Sequence, residues 1–129
     1  MKERIKNYIP LALQYIKENL ATEDDAVDEK YDGYAASLGP AIITSGLLPA
    51  IAFYTDLHRS GDANVRRFKI INIISSIIST DGVVIPNCGQ DNALLEYLII
   101  PSNDTPAIKD KILDAIVAVK LAFRNFKHV

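Results

Sequence analysis

Asp24, Asp28 and Asp32 fall at i, i+4 and i+8, a spacing that sets three carboxylates on one face of a helix. Such a stripe could hold a divalent metal, as in all-helical nucleotide pyrophosphohydrolases. Those sites draw more ligands from a facing helix, and no matching Glu-x-x-Glu occurs elsewhere in this sequence. Acids in the first turns of a helix are also favoured by its dipole, with no metal involved. That explanation suffices, and no metal site or cofactor is assigned.

The second chemical signal is basic. Arg59 precedes Ser60-Gly61-Asp62-Ala63, read as a short turn, and Arg66, Arg67 and Lys69 follow it. A tight turn would gather these four cations. A cation at a helix C-terminus is favourable, which accounts for Arg59. Arg66 and Arg67 near the start of the next helix oppose its dipole, so a phosphate or a neighbouring chain's carboxylate is expected to use them. Lys120, Arg124 and Lys127 form another stripe, at i, i+4 and i+7 on the last helix. There the dipole and ordinary solubility are sufficient explanations.

No catalytic residues are assigned. The two histidines, His58 and His128, lie at a helix end and near the last residue, with no nucleophile or orienting carboxylate placed beside them. There is no phosphate-binding glycine loop, no dinucleotide fingerprint and no Cys/His metal spacing. The single cysteine, Cys88, cannot form an internal disulfide. That suits a reducing cytoplasm, and Cys88 is given no chemistry.

The elements that must position these residues are read from periodicity. At 129 residues and 49% hydrophobic, the chain suits one packed domain, 1–129. Its apolar runs are too short to span a membrane, and its N-terminal segment reads as a helix rather than a signal peptide. A net charge of −2 hides acidic stretches at 21–32 and 81–108 between basic ones. That balance permits a nucleic-acid partner through a local face without arguing for one.

The first helix covers residues 2–20, with Pro10 expected to kink it or mark its true start. Thr22, with Asp25 three residues on, is expected to cap a second helix. Tyr31, Tyr34, Leu38, Ile42 and Ser45 share one helical face, Gly46 hinges it, and Pro49 fits the first turn of the next helix. That next helix carries Leu48, Ile51, Ala52, Phe53, Tyr54 and Leu57. Ile70, Ile73, Ile74, Ile77 and Ile78 are helically spaced despite their β-branching. Asp91 is expected to cap a short helix through Leu94, Leu95, Leu98 and Ile99. Thr105, with Pro106 at the first position, caps the last, whose inward face is Ile108, Ile112, Ile116, Val119 and Phe123. The fold class is all-α: a compact bundle of about six helices without a sheet.

The order Tyr34, Leu38, Ile42, Gly46-Leu47, Ala50, Phe53 resembles the pattern Y-x3-L-P-x2-I-x3-G-L-x2-A-x2-F. That pattern marks the small all-helical subunit of the type III-B CRISPR effector, the Cmr complex. Where the family has Leu-Pro, this chain has Leu38-Gly39-Pro40. Its last segment, LAFRNFKHV, is loosely similar to the family's closing aromatic and basic helix. The resemblance implies a non-catalytic subunit that stacks in copies and helps hold the target RNA opposite the guide. Its partners would be the other effector subunits, the guide and target RNA through phosphates, and further copies of itself, head to tail. RNA contact would then fall to Arg59, Arg66, Arg67, Lys69, Lys120, Arg124 and Lys127. Two other readings stand beside it: a helical protein–protein adaptor, and a metal-dependent phosphohydrolase built on Asp24, Asp28 and Asp32.

Overall fold

Apolar spacing builds the helices of this protein, and the breaks fall where the chain runs out of apolar face. The computed structural model describes residues 2–56, 61–90 and 92–129. Helix α1, Glu3–Asn19, buries Ile5, Tyr8, Ala12 and Ile16 at i, i+3, i+7 and i+11. Pro10 lies inside α1 on its exposed side and does not mark its start. On that side water can take the carbonyl that the proline leaves unbonded.

The second helix does not begin at Thr22. Residues 21–25 form a turn in which the Thr22 N–H donates to the Ala26 carbonyl at 2.8 Å. The Thr22 hydroxyl accepts from the Ala26 N–H at 3.3 Å. Asp25 adopts φ 55, which a helix cannot accommodate. Between Ala21 and Lys30 only Ala26 and Val27 are apolar, so a helix here would have had no face to bury. The two form strand β1, Ala26–Val27, paired in parallel with β2, Lys127–His128. The bundle therefore carries one small sheet that was not expected.

Helix α2, Lys30–Ser45, buries Tyr31, Ala35, Leu38 and Ile42. Tyr34 is only partly buried, and Ser45 is exposed. Gly46 sits at φ 96, a region that favours glycine, and its N–H donates to the Ile42 carbonyl at 2.9 Å. Helix α3, Leu47–Tyr54, starts at once. The Tyr54 hydroxyl donates to the Tyr34 carbonyl at 2.8 Å and ties α3 back onto α2. Leu57, which was expected to extend α3, lies outside the described residues.

Helix α4, Asp62–Ser79, is central and packs on α1, α2, α3, α5 and α6. Its isoleucines 70, 71, 73, 74, 77 and 78 are all essentially inaccessible. The modest helix propensity of β-branched residues is thus overridden by burial on the order of 2 kcal/mol per side chain. Helix α5, Ala93–Ile99, packs on α3 and α4. Asp91, its expected cap, lies outside the described residues, and Asn92 holds the cap position. Helix α6, Pro106–Phe123, has the expected start: Thr105 accepts from the Ile108 N–H at 3.3 Å, with Pro106 leading the helix. One contiguous cluster of buried side chains draws on every helix among the described residues.

Candidate nucleic-acid interface

Helix α4 begins at Asp62, so the turn closes earlier than expected and Arg66 and Arg67 lie in the second helical turn. There the dipole argument against them is weak, because its effect is confined to the first turn. Both arginines find partners within the chain. Arg66 Nη2 lies 3.0 Å from Asp28 Oδ2, with the arginine side chain 18% exposed and the aspartate 35%. The Arg67 guanidinium sits 5.1 Å from the centre of the Tyr34 ring and 4.8 Å from that of Phe53. Its Nη1 also donates to Asn64 Oδ1 at 3.1 Å. This pair ties α4 to α2 and α3.

Asp28 is doubly engaged. Its Oδ1 accepts from the Lys30 N–H at 2.9 Å, capping α2 from two residues away. That bond above all holds the carboxyl below its ordinary value; burial opposes it, and Arg66 adds to the lowering. The three aspartates do not share one helical face. Asp24 lies in the turn, Asp28 precedes α2, and Asp32 lies within its first turn. Among the described residues no group of three or more His, Cys, Asp or Glu side chains could hold a metal ion.

The other cations are dispersed. Arg59 and His58 lie outside the described residues. Lys69 is exposed beside a groove lined also by Asn19, Phe68, Asn72 and Ser76. Lys120 edges an apolar groove between α2 and α6, with Gly39, Pro40, Ile43 and Val117. Arg124 is exposed just past α6, and Lys127 is exposed on β2. Arg124 and Lys127 thus share one end of the molecule with Lys120, although α6 stops before reaching them. His128 Nε2 lies 3.0 Å from the Phe123 carbonyl, and Cys88 Sγ lies 3.2 Å from Ser79 Oγ.

The best-formed polar cluster was not anticipated. Asp114, on the inward side of α6, is 4% exposed. Arg4 Nη1 donates to its Oδ2 at 3.0 Å and Lys2 Nζ to its Oδ1 at 3.3 Å. Beside it the Tyr8 hydroxyl donates to Asp81 Oδ2 at 2.5 Å, and Lys111 Nζ donates to the Asp81 carbonyl at 2.8 Å. Burial, and next the bond to Asp81, push the Tyr8 phenol far above its ordinary value. A signal for Asp114 did exist in the sequence. It sits four and eight residues before Ala118 and Ala122, on a line of small buried residues. Such a line lets α1 approach closely, so a carboxylate on it must find cations there.

Fold and charge together define a class: a small helical protein that uses some of its cations as internal struts and presents others at its surface. No helix among the described residues is long and apolar enough to cross a membrane. The family model described as CRISPR-associated protein (Cas_Cmr5) matches residues 4–121. The chain belongs to this family, and so to the small Cmr subunits of type III-B CRISPR systems. No curated protein and no solved structure matches it.

Proposed function

We propose that this chain is the non-catalytic small subunit of a type III-B RNA-guided effector, working in the cytoplasm as one domain that stacks in copies and touches the target RNA backbone. The observation that carries this reading is the family match across residues 4–121. The contact is phosphate-directed and independent of sequence, because pairing with the guide already reads the bases. Of the cations the sequence singled out for it, Lys69, Lys120, Arg124 and Lys127 are exposed. Arg59 joins them on sequence grounds. Arg66 and Arg67 act from behind, through the packing of α4.

Two separate apolar places support stacking of copies. One is the α2–α6 groove, where Ile43 is 71% exposed. The other combines Val84, 81% exposed, with Ile100 just past α5, which packs on α3 and α4. Unlike surfaces of this kind join head to tail rather than closing a two-fold dimer.

The test is reconstitution with the other effector subunits and a target RNA. Replacing Lys120, Arg124 and Lys127 by alanine leaves assembly intact and weakens RNA binding about equally for unrelated sequences. It also lowers the salt slope by roughly 0.7 for each lost phosphate contact on a single strand. Intact RNA affinity combined with failed assembly would favour a protein-only adaptor.

A further inference from the structure

Between the start of α1, the start of the loop after α4 and the first half of α6 lies an open polar groove of about 570 Å³. Arg4, Asn7, Tyr8, Thr80, Asp81 and Lys111 line it. Two carboxylates belong to this cluster, and both are already engaged. Asp114 is turned inward and held by Lys2 and Arg4. Asp81 Oδ2 takes the Tyr8 hydroxyl and lies 3.9 Å from Arg4 Nε.

The cations keep donors in reserve. Arg4 commits Nη1 to Asp114, and a guanidinium carries five N–H groups in all. Lys111 commits one of three ammonium protons to the Asp81 carbonyl. Because that carbonyl and Asp114 hold Lys111 and Arg4 in place, little side-chain entropy remains to be lost when an anion arrives. Among the residues that line the groove, the cations Arg4 and Lys111 outnumber the one carboxylate, Asp81, so the lining has an excess positive charge.

We infer that this groove is a binding site for a phosphate-class oxyanion, taken between Arg4 and Lys111. The arrangement suits it: a planar fork beside a point charge, with the Asn7 amide as a neutral donor on the same wall. The site is separate from the exposed lysines and arginine proposed above to meet RNA and does not rest on that reading. Two sources share this chemistry, a nucleic-acid backbone phosphate and a free phosphate.

The experiment is an amide NMR titration of the intact protein with inorganic phosphate, against sodium chloride at matched ionic strength. A short single-stranded RNA and a polyglutamate peptide are run in parallel. Phosphate moves the amides of Asn7, Tyr8, Thr80 and Lys111 with millimolar affinity, and chloride does not. Lys111→Gln weakens that binding about tenfold, about 1.4 kcal/mol. Arg4→Lys, which keeps a cation beside Asp114 but loses the fork, weakens it less and leaves the fold intact. RNA moving the same amides at lower concentration than phosphate assigns the site to a backbone phosphate. A response to phosphate alone assigns it to the free ion. No selective shift, a shift unchanged by Lys111→Gln, or tighter binding of polyglutamate than of phosphate would each overturn the inference.

Discussion

Arg4 and Arg66 each hold an aspartate at 3.0 Å, yet the two pairs sit in different surroundings. The side chain of Asp114 is 6% exposed, and that of Asp28 is 35% exposed. Around Asp114 the carboxylate is buried and the cations reach out to solvent. Around Asp28 it is the arginine that is covered, while the aspartate touches water. Equal distances therefore carry unequal weight. A buried charge that loses its partner has no water to replace it, whereas a wet one does. The first pair fixes α1 to α6, and the second trims the docking of α4 on α2.

Asp114→Ala has the largest expected effect. Breaking a buried pair costs roughly 3–5 kcal/mol when the orphaned charge stays buried. Here Lys2 and Arg4, 64% and 36% exposed, can turn to water. The expected loss is therefore about 2 kcal/mol in urea unfolding, below the range for a fully trapped partner. Asp114→Asn, which keeps an acceptor, should lose less. If both variants were as stable as the parent, the asymmetry between the two regions would vanish.

Arg67→Ala comes next. Two ring contacts of roughly 0.5–1 kcal/mol each, with the lost packing of the stem, give about 1–2 kcal/mol. Arg67→Lys should recover little of it, because an ammonium cannot lie flat between Tyr34 and Phe53. Full stability of the lysine variant would show that charge alone holds α4 to its neighbours.

Asp28 has the smallest effect, and pH reveals it. Its carboxyl is held below the ordinary value in the folded chain. The unfolded chain therefore takes up the proton first as the pH falls. The tie contributes fully above the ordinary carboxylate range and is lost as the pH drops through the folded value. Asp28→Asn should remove a small stabilisation at neutral pH and match the parent below the folded value, which flattens the acid limb of a stability–pH profile. An unchanged acid limb would remove Asp28 from the account.

What the sequence disclosed, and what it withheld, follows from how local each cause is. Thr105 and Pro106 start α6 with a bond reaching three residues, and Gly46 ends α2 through its own backbone, so both were readable. The isoleucines of α4 declared a helix because burial, not propensity, decided their state. The stretch from Thr22 to Asp28 misled because a Thr-x-x-Asp spacing imitates a helix cap while no apolar face follows it. Only its pairing with Lys127–His128, at the far end of the chain, makes it a strand.

The candidate interface was less legible still. Arg66 and Arg67 stood out as cations awaiting a phosphate or a neighbouring chain's carboxylate. The partners are Asp28, Tyr34 and Phe53, brought in by the packing of α2 and α3, and no spacing predicts that. Arg4 and Asp114 are 110 residues apart. Family membership was legible from Tyr34 to Phe53 because Leu38, Ile42, Leu47 and Ala50 lie in the core and Tyr34 packs against it, although Phe53 is exposed.

The central claim is that Arg66 and Arg67 are struts and that the exposed cations meet RNA. One double variant, Arg66→Ala with Arg67→Ala, tests it when unfolding and the salt dependence of RNA binding in the assembled complex are measured on the same preparation. The account predicts a clear loss of unfolding free energy with a salt slope equal to the parent's. Unchanged stability with a slope lower by about 1.4, two single-strand phosphates' worth, would contradict it and put the RNA on these two arginines.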